Sequence, residues 1–374
     1  MKRSLKETIH LMRVHALPLF WVGLGMACVG LILHVICICS AAAADAINHY
    51  IGGVVRMILC YVTVWLPNSV AECFVLLLPV ILIFLIVVGV RAADSDRRSW
   101  RFLSGLLGFI MILYACFVPC FAAPYTGTDL DEKFGLAQRD VTAQELYETI
   151  QWTIEQTNEY AKQVDYLYGG FSVMHDTYDS MSAKIMDAYD VLHEKYPFFF
   201  HFHSRVKPII FSEALSYTHL TGVYTFFTGE ANINTAFPDY TIPFTAAHEL
   251  AHQRGAAREN EANFMAFMAL ICSDDPYLQY SAYLNMTEYL ANALYEADSE
   301  LLTQAYANLS MEVQMEMTAY QAFFEKYADS TASKVAQSVN DTYLKASGQK
   351  AGTKSYGLVV DLAVAYYYDC VAGA

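Results

Sequence analysis

The amino-acid sequence predicts a mainly α-helical protein in two parts. The first is an N-terminal three-helix transmembrane region, residues 1–123, and the second is a mostly helical domain with a small β-hairpin or sheet, residues 124–374. Residues 1–123 contain three long apolar runs, and their nine basic and five acidic residues give a net charge of +4. The rest of the chain has 14 basic and 33 acidic residues, net −19, with apolar residues at helical spacing.

The composition excludes several classes of protein. Apolar residues make up 55% of the 374 residues and charged residues 16%, against typical values of about 45–50% and about 25%, which excludes a disordered chain. The net charge of −15 argues against a nucleic-acid partner, because phosphate recognition needs clustered Lys and Arg. Only Cys272 and Cys370 lie beyond the apolar third, and the sequence leaves open whether they pair.

Three uncharged runs are long enough to cross a membrane, at about residues 17–38, 73–90 and 102–123. A bilayer core of about 30 Å needs roughly 20 apolar residues in a helix. The apolar stretch 57–66 is too short, and we expect it to lie at the outer membrane interface or to pack on the bundle. The sequence therefore predicts a protein of the cell membrane with three spans and lipid contacts.

Positive charges predict how the spans are oriented. They precede the first span and lie between the second and third, whereas only Arg56 lies between the first and second. Since cytoplasmic loops carry the excess of Lys and Arg, we expect a cytoplasmic N-terminus and an extracytoplasmic C-terminal domain. The run Ala41 to Ala44 resembles a signal-peptidase site, but the preceding span is longer than a usual signal sequence, so we expect an uncleaved anchor.

The acidic domain begins with helical signals and contains one β-like region. Thr142 and Glu145 form a capping-box pattern before a helix that runs to about residue 164, and a second helix is expected over 174–194, followed by an irregular segment to Pro208. Residues 221–227 and 231–234 flank a turn and predict a hairpin. From Phe244 onward the pattern is helical, with breaks expected near Gly255, Pro276, Ser310, Ser330 and Gly348–Gly352.

The motif that carries chemistry is His248-Glu249-Leu250-Ala251-His252. On a helix, residues i and i+4 share a face, so both imidazoles can bind one zinc ion. Glu249 lies about 100° round the helix from His248, beside the ion rather than on it. A carboxylate in that position can accept a proton from a metal-activated water and pass it to a leaving amine.

A catalytic zinc ion needs a third protein ligand, and two residues are candidates. Arg258 occupies the position where a metzincin has its third histidine, which disfavours that class. Glu259 shares a helical face with small residues and is the favoured ligand, whereas Glu261 shares a face with core-like residues and is the alternative. Asn263, one turn after Glu259, is expected either to hold a liganding histidine or to make a helix–helix hydrogen bond.

The three segments 228–234, 248–255 and 259–264 resemble a bacterial family, domain of unknown function 3810, whose members are regarded as membrane zinc metallopeptidases. The resemblance covers most of the chain and implies a zincin-like fold. Glu259-Asn260-Glu261-Ala262-Asn263 also resembles the Glu-x-x-Ala-Asp/Asn element of gluzincin peptidases, which implies Glu259 as a metal ligand. Only six residues separate His252 from Glu259, a shorter interval than in most gluzincins, so Glu261 stays the alternative.

These features together predict a membrane-anchored, zinc-dependent metallopeptidase that hydrolyses peptide bonds, with Glu249 as general base. Its substrate would be a peptide or protein, cell-envelope peptides included. By analogy with zincins, the strand 223–227 is expected to line the cleft, where an extended substrate pairs with it. Intramembrane proteolysis is disfavoured, because His248 lies more than 120 residues beyond the last span.

The alternative is a non-catalytic membrane sensor or scaffold that retains a zincin-like metal site. Glu249 distinguishes the two hypotheses, since a site that only binds metal needs the histidines but not that carboxylate.

Other polar residues carry weaker signals. We expect His201, His203 and His219 to be surface or hydrogen-bonded histidines, and Tyr217 or Tyr224 is a candidate for stabilising an oxyanion. The sequence makes no prediction of the oligomeric state.

Overall fold

A computed structural model describes residues 13–137, 139–168, 170–328, 330–346 and 358–373. In the apolar part, helix α1 (Pro18–Cys39) leads through a short helix and a π-helical turn into α2 (Gly53–Thr63). Helices α3 (Val70–Ala92) and α4 (Asp96–Phe117) follow, and α4 continues through a π-helical turn, Val118–Ala122, and a short helix, Ala123–Tyr125.

Three helices of the described chain are long and apolar enough to cross a membrane, at residues 18–39, 70–92 and 96–125. They coincide with the three predicted apolar runs. The predicted short stretch 57–66 falls mainly on α2, which has a buried face with Arg56, Cys60 and Thr63 and an exposed face with Tyr61 and Val62. The basic residues Lys2, Arg3 and Lys6 lie outside the described residues.

The large domain is mainly helical. Thr142 and Glu145 form the predicted capping box at the start of α5, and the predicted breaks at Gly255, Pro276, Ser310 and Ser330 all separate helices, whereas Gly348–Gly352 lies outside the described residues. Cys272 and Cys370 are unbridged. In chain order the strands and the helices of eight or more residues are α5 (Ala143–Ala161), α6 (Tyr178–Lys195), β1 (Val206–Pro208), β2 (Gly222–Thr225), β3 (Glu230–Ile233), α7 (Thr241–Gln253), α8 (Glu259–Leu270), α9 (Pro276–Ala297), α10 (Ser299–Tyr306), α11 (Met311–Glu325), α12 (Thr331–Ala346) and α13 (Val359–Tyr366). Shorter helical segments are Leu130–Phe134, Ser212–Ser216 and Tyr367–Val371.

A mixed three-stranded sheet, in the order β1-β3-β2, supports the centre of the domain. The predicted hairpin is confirmed, because β2 and β3 pair antiparallel with Tyr224 opposite Ala231. The expectation of irregular chain up to Pro208 was wrong, since Val206–Pro208 forms β1 and pairs parallel with β3. A three-residue segment that contains a lysine and a proline is too short to show the alternation of apolar and polar residues that marks a strand, so only its pairing with β3 reveals it.

Helix α7 lies in the middle of the core. It packs on α8, α9 and the sheet, and every residue from Thr241 to Ala251 is buried. The strand β3 is likewise buried along its whole length. A helix that is enclosed on all sides shows little amphipathic pattern, and its position is set by the elements around it.

Buried polar contacts join the sheet to the end of α2 and the start of α3. Lys207 of β1 and Glu230 of β3 form an ion pair of 2.6 Å in which both side chains are buried. The Glu230 carboxylate also accepts hydrogen bonds from the backbone N–H groups of Val70 and Ala71, at 3.0 Å each. It therefore caps the N-terminus of α3, where a negative charge is favourable. The Lys207 ammonium additionally donates to the Thr63 carbonyl at 2.6 Å.

Candidate metal centre

Two helices bring three metal-ligand side chains together. His248 and His252 lie one turn apart on α7, and their Nε2 atoms are 3.0 Å apart. Glu259 is the first residue of α8, and its Oε2 lies 3.2 Å from Nε2 of His248 and 3.5 Å from Nε2 of His252. The turn between the helices passes through Gly255 at φ +100°, where a side chain would collide with Asn48 and Arg56.

The spacing of these atoms fits a zinc ion. Tetrahedral zinc with ligand bonds of about 2.0–2.1 Å holds its ligand atoms roughly 3.3–3.4 Å from one another, and the three observed distances of 3.0, 3.2 and 3.5 Å bracket that value. Two imidazoles and a carboxylate are also a common ligand set for catalytic zinc. His248, His252 and Glu259 are therefore the residues that could hold a metal ion.

Protonation and charge in the cluster favour a cation. His252 Nδ1 lies 2.6 Å from the Ala256 carbonyl oxygen and donates its proton there, which leaves Nε2 as the ring nitrogen that faces Glu259. Burial opposes a charge on His252, but the Glu259 carboxylate outweighs it and raises the pKa of His252 to about 9. Conversely, the two imidazoles overcome the effect of burial and hold the pKa of Glu259 well below its ordinary value.

Glu249 lies beside this cluster and is held by strand β2. Its carboxylate is buried, which raises its pKa, although the neighbouring imidazoles of His248 and His252 act in the opposite direction. The backbone N–H of Tyr224 donates a hydrogen bond to it. A Cβ atom on Gly222 would lie 2.5 Å from Oε1 of Glu249 and 2.7 Å from its Cγ. The glycine thus leaves the space that the carboxylate occupies.

The cluster opens into a cleft of about 530 Å³. One wall is the edge strand β2, and another is formed by α12, which reaches across from the C-terminal part of the chain. The remaining walls come from Phe121 after α4, from the segment before β2 and from α9. Besides the metal-centre residues, the lining includes Phe121, His219, Gly222, Val223, Tyr224, Tyr289, Ser333, Ala336 and Gln337.

Glu261, the alternative third ligand, points elsewhere. Its carboxylate pairs with Arg258 at 3.0 Å, and it does not belong to the group of three potential ligands. Asn263 lies beside Tyr289, and its Nδ2 has no hydrogen-bond partner among the described residues, whereas His252 is oriented by a backbone carbonyl. Asn263 therefore does not hold His252, because the second ring nitrogen of His252 already binds the Ala256 carbonyl.

The two tyrosine candidates for stabilising an oxyanion differ in position. Tyr224 stacks its ring on His252, with ring centroids 6.3 Å apart, but its hydroxyl is buried without a hydrogen-bond partner in the described chain. Tyr217 is 40% exposed and packs on Tyr327, outside the lining of the cleft.

His201, His203 and Asp190 form a second cluster of potential ligands, but hydrogen bonds already use its atoms. The Arg254 guanidinium donates to Nδ1 of His201 at 3.1 Å, so the proton of that ring lies on Nε2 and is donated to Asp190 at 2.6 Å. Burial, together with Arg254, lowers the pKa of His201 to about 4, which keeps the ring neutral. The hydrogen bonds from Asp190 through His201 position the buried Arg254, which lies directly after α7.

Sequence reasoning missed several residues that line the cleft. His219, expected to be a surface or hydrogen-bonded histidine, donates from Nε2 to the Tyr327 carbonyl at 2.9 Å, and its backbone is left-handed at φ +62°. Since a carbonyl only accepts, Nε2 carries the proton. Tyr289 was one of 27 tyrosines with no local signal, and Phe121 was assigned to a membrane span.

A model of one protein family matches most of the chain. The family is described as "Protein of unknown function (DUF3810)", and the match covers residues 49–364. It includes α2, α3, α4, the sheet and all the residues of the candidate metal centre. No curated protein and no solved structure matches the chain.

Proposed function

The chain belongs to the DUF3810 family of proteins of unknown function, and we propose that it is a membrane-anchored, zinc-dependent metallopeptidase. The observation that carries the proposal is the convergence of His248, His252 and Glu259, with the Glu249 carboxylate beside them in an open cleft. Glu249 is not needed to hold a metal ion, so its placement favours hydrolysis over metal binding alone. We also propose that the large domain has a zincin-like arrangement around α7.

The proposed chemistry divides between the ion and the chain. A zinc ion held by the three ligands supplies Lewis acidity, which polarises a carbonyl group and lowers the pKa of water. Glu249 takes the proton from the attacking water and delivers it to the amine that leaves. Its buried position favours the neutral form once a proton is taken, and the Tyr224 N–H keeps the carboxylate directed at the cleft.

Strand β2 offers a way to bind an extended substrate. It is an edge strand, since β3 pairs with it on one side only. The N–H of Asn234 donates to the Thr221 carbonyl, and because pairs alternate along an antiparallel ladder, the backbone groups of Gly222 and Tyr224 face away from β3. The Tyr224 N–H already binds Glu249, which leaves the Tyr224 carbonyl and both backbone groups of Gly222 for a substrate. A polypeptide that lies along this edge can form backbone hydrogen bonds there, so a peptide or protein is the proposed substrate.

The membrane arrangement follows from the same chain. We propose that α1, α3 and α4 cross the cell membrane, with lipid on their exposed apolar surfaces. Arg91, Arg97, Arg98 and Arg101 lie at the end of α3 and the start of α4. The other ends of these helices contact the large domain through Val70 and Phe117. The positive-inside rule then puts that end in the cytoplasm and the metal centre outside.

The test uses the full chain in lipid nanodiscs, because Arg56, Thr63 and Val70 make buried contacts with the large domain. We expect about one zinc ion per chain, lost in His248→Ala and retained in Glu249→Gln. We also expect hydrolysis of some members of a peptide library, abolished by both substitutions. A folded chain that takes up no zinc would refute the proposal, and zinc uptake without hydrolysis would favour the non-catalytic sensor or scaffold.

A further inference from the structure

We propose that the natural substrates are polypeptide segments at the membrane surface, within a few residues of a membrane anchor. This inference rests on the proposed peptidase function and goes beyond it by naming the class of substrate. It follows from how the cleft, the sheet and the ends of the membrane helices are joined.

One wall of the cleft belongs to a membrane helix. Phe121 lies in the π-helical turn that continues α4 directly, and it lines the same cleft as His248 and Glu249. Its ring packs on Phe226, the residue after β2, with centroids 5.7 Å apart. Phe117, the last residue of α4, packs on Phe226 as well, at 5.5 Å. The strand that would bind substrate therefore rests on the final turn of a membrane span.

The sheet is held in that position by buried charges. The Lys207–Glu230 pair is only about 1–2% exposed, and it binds both the end of α2 and the start of α3. From the other side, the Glu72 carboxylate accepts the backbone N–H groups of Ile210 and Phe211, at 2.9 Å each. Separating the sheet from these helices would break those hydrogen bonds and leave the first N–H groups of α3 without their carboxylate cap, which is unfavourable. The cleft is thus kept at the end of the bundle.

Exposed apolar side chains mark the level of the membrane surface. Trp65, which follows α2, is 77% exposed, and Phe227, next to Phe226, is 46% exposed. Tyr61 and Leu66 are also exposed on the same short connection between α1 and α3. Trp and Tyr concentrate where the bilayer meets water, and a solvated surface would not favour this set. The headgroup layer is therefore expected at the level of the β2 hairpin and the cleft.

A substrate anchored in the same bilayer reaches such a cleft only with bonds near its anchor. The first test is a spacer series in nanodiscs of phosphatidylethanolamine and phosphatidylglycerol. A peptide that the protein cleaves is linked to two palmitoyl chains through Gly/Ser spacers of 4, 8, 16 and 32 residues. We expect the fastest cleavage at the short spacers and a decrease of about 20-fold from 4 to 32 residues, since effective concentration falls as the −3/2 power of length.

Equal rates at all spacers, or faster cleavage with the longest spacer, would overturn the inference while leaving the peptidase function intact. Failure to cleave any peptide, anchored or free, would overturn the peptidase function and this inference with it. The two failures are therefore distinguishable.

A second test needs no activity. Phe227→Trp places a fluorescent probe at the proposed membrane surface, and Tyr295→Trp, on the exposed surface of α9, is the matched control. In nanodiscs with bromine-labelled lipids, we expect additional tryptophan quenching from position 227 and none from position 295, relative to the unmodified chain. Equal quenching at the two positions would overturn the inference, whatever the activity.

Discussion

Replacing Gly222 by alanine tests whether strand β2 positions the proposed general base. The added Cβ would lie 2.5 Å from Oε1 of Glu249 and 2.8 Å from Cγ2 of Thr245. Ordinary van der Waals contact begins near 3.4 Å, so the Glu249 carboxylate must move by about 1 Å. The three atoms nearest to the added methyl group belong to Glu249 and Thr245, and none belongs to the proposed ligands His248, His252 and Glu259.

A misplacement of about 1 Å in a catalytic group costs roughly 10²-fold in rate, which corresponds to about 2.7 kcal/mol of transition-state stabilisation. We therefore expect Gly222→Ala to lower kcat/KM about 10²-fold at unchanged zinc content. The loss is limited by that of Glu249→Gln, because both changes act on one carboxylate. For the same reason, the double variant should be no slower than Glu249→Gln alone.

The assay combines peptide hydrolysis, zinc content by mass spectrometry and thermal unfolding, all in nanodiscs. Gly25→Ala is the matched control, because nothing lies within 4 Å of a Cβ added there, and its activity should equal that of the unmodified chain. Full activity in Gly222→Ala would refute the reasoning about Glu249. Loss of zinc together with activity would show that the substitution disrupts the metal centre itself.

Three further outcomes are expected. Glu259→Gln should weaken zinc binding at least about 100-fold. Glu261→Gln removes only the pair with Arg258 and should retain the zinc affinity. Competition with a zinc chelator measures both affinities, and equal losses would contradict the assignment of Glu259 as the ligand. Lys207→Met should lower the free energy of unfolding by about 3–5 kcal/mol in denaturation experiments, because it leaves the buried Glu230 carboxylate unpaired. A change below about 1 kcal/mol would contradict the proposed role of this ion pair in joining the sheet to α2 and α3. Burial raises the pKa of Glu288 to about 7 from 4.5, so the folded chain keeps a proton that the unfolded chain loses between those values, and stability falls as the pH rises through this window. Glu288→Gln should remove about 3 kcal/mol of that fall in unfolding measurements at pH 4 and pH 8, and an unchanged pH profile would contradict it.

Local signals predicted much of the fold. The apolar runs, the capping box at Thr142 and the hairpin around Gly229 each depend on residues within one short segment, and each has its counterpart in the structure. The strand β1 was missed because three residues carry no period. The roles of Lys207 and Glu230 were missed for a related reason, since each becomes meaningful only beside a partner distant in sequence.

The sequence by itself determined that His248 and His252 share a helical face, because the i, i+4 relation is a property of any α-helix. It also favoured Glu259 over Glu261 from their different helical faces. Only the tertiary structure decided what surrounds these residues. Glu259 reaches the histidines because α8 packs on α7, and Phe121, Gly222 and Tyr289 reach the cleft from three distant parts of the chain. Those approaches depend on close packing between elements, which no spacing within a single segment encodes.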